Sequence, residues 1–133
     1  MKPDAVIADF HDGAYGPTIR IDVQRLEDLQ LIRSLFTKLA RGSISEIDLR
    51  QSIEAAWNGL ATVVLLEGDG PLLGRLGDKK RLPQFHWFNS RKDWLRCARL
   101  CRALIYGGPW HQYLCPEGVH EAVVELAFME PRP

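Results

Sequence analysis

Two long stretches with helical periodicity constrain the fold of this 133-residue chain more than any other feature. Apolar side chains recur at helical spacing from Leu26 to Leu39, and a second stripe runs from Trp94 to Ile105. A helix with one apolar face must pack that face against another layer, while its opposite face stays in water. The sequence therefore predicts two amphipathic helices that cover a sheet.

Residues at the helix ends support these boundaries. Asp22 is predicted to cap the first helix, and Gly42 is predicted to end it. Ser90 and Asp93 have the spacing of a capping box at the start of the second helix. A Gly-Gly-Pro run that begins at residue 107 is predicted to terminate that helix.

Short strand-like runs occupy much of the remaining chain. Ala5–Phe10 and Thr18–Val23 flank a loop of turn-forming residues and predict a hairpin. Leu60–Glu67 is apolar on both faces, which predicts a central strand. Phe85–Phe88 is aromatic and strand-like, and Ala122–Met129 alternates as a final strand. Residues 72–83 are rich in glycine, proline and charge, so a loop is predicted there.

This order of elements predicts an α+β fold with a mainly antiparallel sheet of about five to six strands and two long helices packed on one face. The chain contains no internal sequence repeat and no linker, so residues 1–133 are expected to form a single α+β domain. The residues expected in its core are Leu26, Leu29, Ile32, Phe36, Val64, Leu66, Trp94, Cys101, Leu104, Val124 and Leu126.

Composition indicates a cytoplasmic protein without a membrane span. No apolar run approaches the roughly 18 residues needed to cross a bilayer, and no signal peptide is evident. Three cysteines are an odd number, which favours a reducing compartment. Cys97 and Cys101 lie one helical turn apart, but no second ligand pair accompanies them, so they are expected in the core. No metal and no cofactor are expected.

A net charge of zero hides a segregation of charge along the chain. Residues 74–102 carry 9 basic and 2 acidic side chains, whereas both flanking segments are acidic. Within this segment Arg96, Arg99 and Arg102 follow Lys92 on one predicted helix face. Such a face can follow the phosphates of a nucleic acid or bind an acidic protein. A solvated helix face has the same pattern.

The segment Trp110-His111-Gln112-Tyr113-Leu114 gathers side chains that combine an apolar body with a polar tip. We expect Tyr113 and Leu114 to pack inward, while His111 and Gln112 bond backbone groups nearby. The segment would then be a structural latch. A partner-contact site is the alternative interpretation of the same residues.

His11 lies between Asp9 and Asp12 and has the ingredients of an acid–base pair. The loop that follows favours these residue types for backbone reasons alone. No nucleophile motif accompanies them. An enzyme or small-ligand site would require His11 and His111 to meet in one pocket.

The C-terminal half also resembles a known group of proteins. Phe85-His86-Trp87, Trp94 in a capped helix, the run from His111 to Leu114 and a closing strand near Glu130 are similar to small uncharacterised bacterial proteins. Some of these look like immunity proteins encoded beside secreted polymorphic toxins. The resemblance covers residues 85–130, and it implies no catalytic residues.

The leading functional hypothesis is therefore a non-enzymatic bacterial protein-binding module, with a cognate toxin as the partner to be neutralised. The alternative is nucleic-acid binding through residues 75–102, and the third hypothesis is a small-ligand binder or enzyme. No catalytic residue is predicted. The predicted binding residues are Arg96, Arg99, Arg102, Trp110, His111, Gln112 and Tyr113.

Overall fold

The computed structural model describes residues 5–78, 80–107, 111–115 and 121–131. Within these ranges the chain forms three helices and nine strands. In chain order they are β1 (Val6–Gly13), β2 (Gly16–Val23), α1 (Leu26–Arg41), β3 (Glu46–Asp48), α2 (Leu49–Ser52), β4 (Ala56–Asn58), β5 (Thr62–Glu67), β6 (Leu72–Leu76), β7 (Gln84–Asn89), α3 (Arg91–Gly107), β8 (His111–Cys115) and β9 (Val123–Phe128).

The α+β class and the two long helices are confirmed, but the strands form two sheets instead of one. The five-stranded sheet has the order β4-β1-β2-β9-β8, and the four-stranded sheet has the order β3-β5-β7-β6. Both sheets are mixed, because β2 and β9, β5 and β7, and β1 and β4 pair in parallel. Hydrophobic periodicity identifies a strand but not its neighbour, so the sequence could not divide the strands between two sheets.

The two halves of the chain repeat one connectivity although the sequence shows no repeat. Each half runs through a hairpin, a long helix, an edge strand and an inner strand: β1-β2-α1-β3-β5 and β6-β7-α3-β8-β9, with α2 and β4 inserted in the first. Each hairpin joins the last two strands of the other half. The two halves of the chain are joined by two parallel strand pairs, β2 with β9 and β5 with β7. Because every sheet contains both halves, the halves are interlocked.

Strands β4, β6 and β8 were not predicted as such. Residues 72–83 were expected to be a loop, but Leu72–Leu76 forms β6 and pairs antiparallel with β7. The segment beginning at His111 forms β8, at the edge of the five-stranded sheet. Gly74 and the surrounding charges lower the local strand propensity, and pairing with a neighbouring strand overrides that preference.

An aromatic cluster joins both long helices to the four-stranded sheet. Phe36 of α1 stacks on Trp94 of α3 with ring centroids 5.6 Å apart, and Trp87 of β7 meets Trp94 at 4.8 Å. The Trp94 indole also donates a hydrogen bond of 3.1 Å to the carbonyl of Leu66. All three rings are almost fully buried. This cluster fixes α1 and α3 side by side.

Most of the predicted core residues are buried, and the exceptions are Leu26 and Leu66. Leu26, at the first position of α1, is 44% exposed. On β5 the core-facing residues are Val63 and Leu65, whereas Val64 and Leu66 lie on the opposite face of the sheet. A strand that is apolar on both faces does not reveal which face turns inward, because its pattern lacks alternation.

The helix ends agree with the sequence at Gly42 and at Ser90, but not at Asp22, and residues 108–110 of the predicted Gly-Gly-Pro stop lie outside the described residues. Gly42 ends α1 in the left-handed conformation, with φ at 72°. The Asp93 amide donates to the Ser90 hydroxyl at 3.2 Å, and this hydroxyl donates to the Asp93 carboxylate. Asp22 does not cap α1, because β2 continues to Val23 and the N-cap position is Arg25. Asp22 is buried within β2 and accepts a hydrogen bond from Gln24. No helix in the described part of the chain is long and apolar enough to cross a membrane.

The first prediction concerns the interlocked core. Phe36→Ala should lower the free energy of unfolding by about 3–5 kcal/mol, because it removes a large buried ring that contacts both tryptophans. Urea unfolding followed by tryptophan fluorescence and by far-UV circular dichroism should give one coincident transition. Tyr106→Ala is the control, since this side chain is 78% exposed. Separate transitions for helices and tryptophans would contradict the interlocked core.

Candidate functional site

An open cleft of about 330 Å³ lies between the solvent-facing sides of α1 and α3. Four arginines line it: Arg33 and Arg41 from α1, and Arg99 and Arg102 from α3. The apolar side chain of Leu95 contributes to one wall. We call this cleft the arginine groove.

Helical geometry explains why these side chains converge. The guanidinium group of Arg91, in the first turn of α3, lies against Gly42, so the two helices run antiparallel. Positions three or four residues apart share one side of a helix, as do Arg99 and Arg102. Ala40 and Ala98 stand between the arginines, and their small side chains leave the groove open. Arg33 and Arg41 are separated by eight residues, or about 12 Å along the helix.

The arginines of the groove lack carboxylate partners among the described residues. Elsewhere on the molecule Arg25 pairs with Asp28 at 2.8 Å, and Arg91 pairs with Glu67. No described Asp or Glu lies within 4.0 Å of the four groove arginines. Four like charges in one cleft repel each other, and an anionic ligand relieves that repulsion. Guanidinium groups bind carboxylate and phosphate in bidentate geometry.

The structure divides the predicted basic face. Arg99 and Arg102 lie in the groove as a pair, but Arg96 points to the other flank of α3. Its guanidinium donates a hydrogen bond of 2.8 Å to the carbonyl of Leu114 on β8. Arg96 therefore ties α3 to the edge of the five-stranded sheet, and its place in a common binding face with Arg99 and Arg102 was wrongly predicted.

Sequence reasoning missed the contribution of α1 to this site. The predicted binding residues included Arg99 and Arg102 of the second helix, but neither Arg33 nor Arg41 of the first. Their spacing relative to Thr37 places them on one side of α1. The sequence therefore indicated that Arg33 and Arg41 share one side of α1. It did not indicate which other helix would lie next to that side.

The predicted latch segment belongs to a charged network on the outer face of the five-stranded sheet. His111 Nδ1 lies 2.9 Å from a carboxylate oxygen of Glu130. Arg20 on β2 pairs with the same Glu130 at 2.8 Å and with Glu125 at 3.4 Å. These contacts join β2, β8 and β9 and the residues that follow β9. They are contacts among side chains, whereas backbone partners had been predicted for His111.

Tyr113 was predicted to pack inward, but it lies on the outer face. Its ring meets Tyr15 from the β1–β2 turn edge-on, with centroids 5.3 Å apart. Burial, followed by a hydrogen bond to Glu125, raises the pKa of Tyr113 to about 12. Leu114 is buried as expected, and Gln112 is half-buried opposite Leu126. Trp110 lies outside the described residues.

His11 and His111 share the outer face but do not form one site. Strands β2 and β9 separate β1 from β8, so three strand spacings of about 4.8 Å each lie between the two histidines. A depression of about 400 Å³ contains His11, Asp9 and Arg20 but not His111. His11 is paired with Asp9. The condition for a shared histidine pocket is therefore not met.

The three cysteines are free and buried. Burial raises the pKa of Cys97 to about 12 and that of Cys115 to about 11, and it raises the pKa of Cys101 still further. Thiols with such pKa values are protonated and poorly nucleophilic at neutral pH. Across the described ranges no three His, Cys, Asp or Glu side chains are grouped to hold a metal ion.

The second prediction follows from these pKa values. The folded chain keeps protons on Cys97, Cys115 and Tyr113 that the unfolded chain releases above about pH 8.5 to 10. Stability should therefore be complete below about pH 8.5 and decrease as the pH rises towards 11 to 12. Urea unfolding at pH 8 and pH 10.5 measures this decrease. The double variant Cys97→Ala/Cys115→Ala should show a weaker dependence on pH, and an unchanged dependence would contradict the assignment.

Comparison with known proteins does not indicate a function for the groove. No family model, no curated protein and no solved structure matches this chain. The resemblance to immunity proteins consequently remains a hypothesis that depends on the residues quoted above, and the function of the groove has to be argued from its own chemistry.

Proposed function

We propose that this protein is a non-enzymatic protein-binding module that accepts an acidic segment of its partner in the arginine groove. The observation that carries the proposal is the convergence of Arg33, Arg41, Arg99 and Arg102 without a described carboxylate partner. Charge-assisted hydrogen bonds from a guanidinium to a carboxylate are among the stronger polar contacts in proteins. A partner that supplies carboxylates would satisfy all four.

Two features favour an acidic peptide over a nucleic acid. First, the described residues that line the groove include no aromatic side chain, and among the four arginines only Arg102 has a described aromatic ring against it, that of Tyr106 at 5.7 Å. Single-stranded nucleic acids are usually held by stacking of successive bases on several aromatic rings. Second, the basic segment 75–102 does not form a continuous track. Arg75 lies over the Phe10 ring, Arg91 pairs with Glu67, and Arg96 bonds the Leu114 carbonyl.

The partner we propose is a toxin, and the place of action is the bacterial cytoplasm. An immunity protein acts by occluding its target, so it requires a complementary surface and no chemistry of its own. A groove about 12 Å long suits a short acidic loop or helix turn of such a target. The resemblance of residues 85–130 to immunity proteins and the three free cysteines agree with this assignment.

The third prediction tests the groove with a defined probe. A fluorescent peptide of ten alternating glutamate and alanine residues should bind the protein in low salt, and fluorescence anisotropy measures the Kd. Arg33→Gln/Arg99→Gln should weaken binding roughly 10- to 100-fold, because each lost charged hydrogen bond removes on the order of 1.5 kcal/mol. Arg96→Gln is the matched control and should bind as the parent does, because Arg96 lies outside the groove.

The same titration separates the alternatives. A single-stranded oligonucleotide of equal length is titrated in parallel. If it binds more tightly than the peptide, and if Arg33→Gln/Arg99→Gln weakens that binding, the ligand of the groove is a nucleic acid and not an acidic peptide. Equal binding by all variants, or no binding by any of them, would remove the groove as the binding site. Unchanged melting temperatures would show that the substitutions leave the fold intact.

The toxin assignment has its own test. If a neighbouring gene encodes a toxin, co-expression with this protein should restore growth of the host, and Arg33→Gln/Arg99→Gln should lose that protection. Protection that persists in the double variant would place the toxin interface elsewhere on the molecule.

A further inference from the structure

The four-stranded sheet carries an apolar surface on the face that points away from the core. Phe85, Trp87 and Leu73 turn inward and are almost fully buried. Their neighbours along the strands therefore point outward, and they form a band across β5, β7 and β6. The apolar members of this band are Val64, Leu66, Phe88, Leu72 and Leu76.

This arrangement departs from the usual pattern of an open sheet. A sheet with one face in water normally alternates apolar residues inside with polar residues outside. The five-stranded sheet follows that pattern, since its outer face bears Arg20, Glu125 and His111. In the four-stranded sheet Leu72 is 50% exposed and Leu76 is 38% exposed. Leu66 and Phe88 are half-buried and Val64 is buried, so the exposed apolar area lies on the β6 side of the band. Exposed apolar surface on a sheet face marks protein-interaction sites.

A glycine creates a pocket within the apolar face. A Cβ atom added to Gly74 would meet no heavy atom of the described residues within 4 Å. The open cleft above it measures about 310 Å³, and its walls include Leu72, Leu76 and the ring pair His86–Phe88. A pocket with apolar and aromatic walls accepts a single large apolar side chain, which is how anchoring residues of protein interfaces are bound.

Carboxylates stand at both edges of this face. Glu46 and Asp48 lie outward on β3 at one edge. Glu121 lies at the other edge, where its carboxylate accepts a hydrogen bond from the Arg75 amide. The Arg75 side chain turns to the inner side and lies 6.0 Å from the Phe10 ring centre. Lys80 and Arg81 follow β6 in the next turn. The outward carboxylates thus lie at the two edges of the apolar band, whereas the cations Lys80 and Arg81 lie beyond the end of β6.

We propose that this outer face is a second binding surface, for a protein segment that inserts an apolar side chain above Gly74 and carries lysine or arginine on either side of it. The apolar walls select the anchor, and the edge carboxylates select the flanking cations. This surface is distinct from the arginine groove, and neither proposal depends on the other.

Filling the pocket provides the test. Gly74→Leu places a side chain in space that is empty in the free protein, so the fold and its melting temperature should be retained. The probe is a five-residue peptide with phenylalanine between two lysines on each side. Amide resonances of Leu72 and His86 should shift on titration into the parent protein, and Gly74→Leu should weaken the Kd at least tenfold. Glu46→Gln should weaken it less, and Leu95→Ala, in the arginine groove, should leave it unchanged.

Several outcomes would overturn the proposal. Equal affinity for Gly74→Leu and the parent protein would show that the pocket is not used. Shifts centred on Glu125 would indicate that the lysines bind the charged face of the other sheet, and an equal affinity for a glutamate-flanked peptide would remove the role of the carboxylates. A parent protein that sediments as a dimer, and becomes monomeric in Gly74→Leu, would identify the occupant as a second copy of this chain.

Discussion

The two parallel strand pairs, β2 with β9 and β5 with β7, are the constraint on which the remaining structure depends. Each joins a hairpin from one half of the chain to the inner strand of the other half. Because neither half can complete its sheet alone, α1 and α3 are brought together as a pair, and the cluster of Phe36, Trp87 and Trp94 fills the space between them and the four-stranded sheet. The arginine groove exists only because these helices are neighbours. The arginines from α1 and those from α3 are far apart in sequence: more than 60 positions separate Arg33 from Arg99.

The surfaces of the molecule differ in how completely their charges are satisfied. On the outer face of the five-stranded sheet, Arg20 and His111 share the carboxylates of Glu125 and Glu130, so this face is a cross-linked network. In the arginine groove the described cations lack such partners. On the outer face of the four-stranded sheet, Leu72 and Leu76 are apolar side chains that no described residue covers fully. Unsatisfied charge and uncovered apolar area are the two features that a binding partner can relieve, and they lie on separate surfaces.

The sequence supported a large part of the fold through local signals. The stripe of α1, the Ser90 capping box and the left-handed Gly42 all follow from short-range physics, and all were confirmed. The failures have a common cause. Leu72–Leu76 forms a strand because β7 pairs with it, and Arg96 leaves its expected face because Leu114 offers a carbonyl. In both cases a residue distant in sequence supplied the decisive partner, and periodicity carries no information about distant partners.

By itself, the sequence determined the α+β class, the presence of the two long helices, the end of the first at Gly42 and the start of the second after Ser90, the burial of Trp94 and Cys101, and the concentration of positive charge in residues 74–102. These depend on hydrophobic periodicity and composition, which are local properties of the chain. Only the tertiary structure decided that the strands form two interlocked sheets, that Arg33 and Arg41 join Arg99 and Arg102 in one groove, and that Val64 and Leu66 lie on the same outward face as Gly74. The physical reason is that pairing between strands and packing between helices join residues far apart in sequence. The free energy of those contacts, more than any local preference, selects which polar and apolar faces remain exposed.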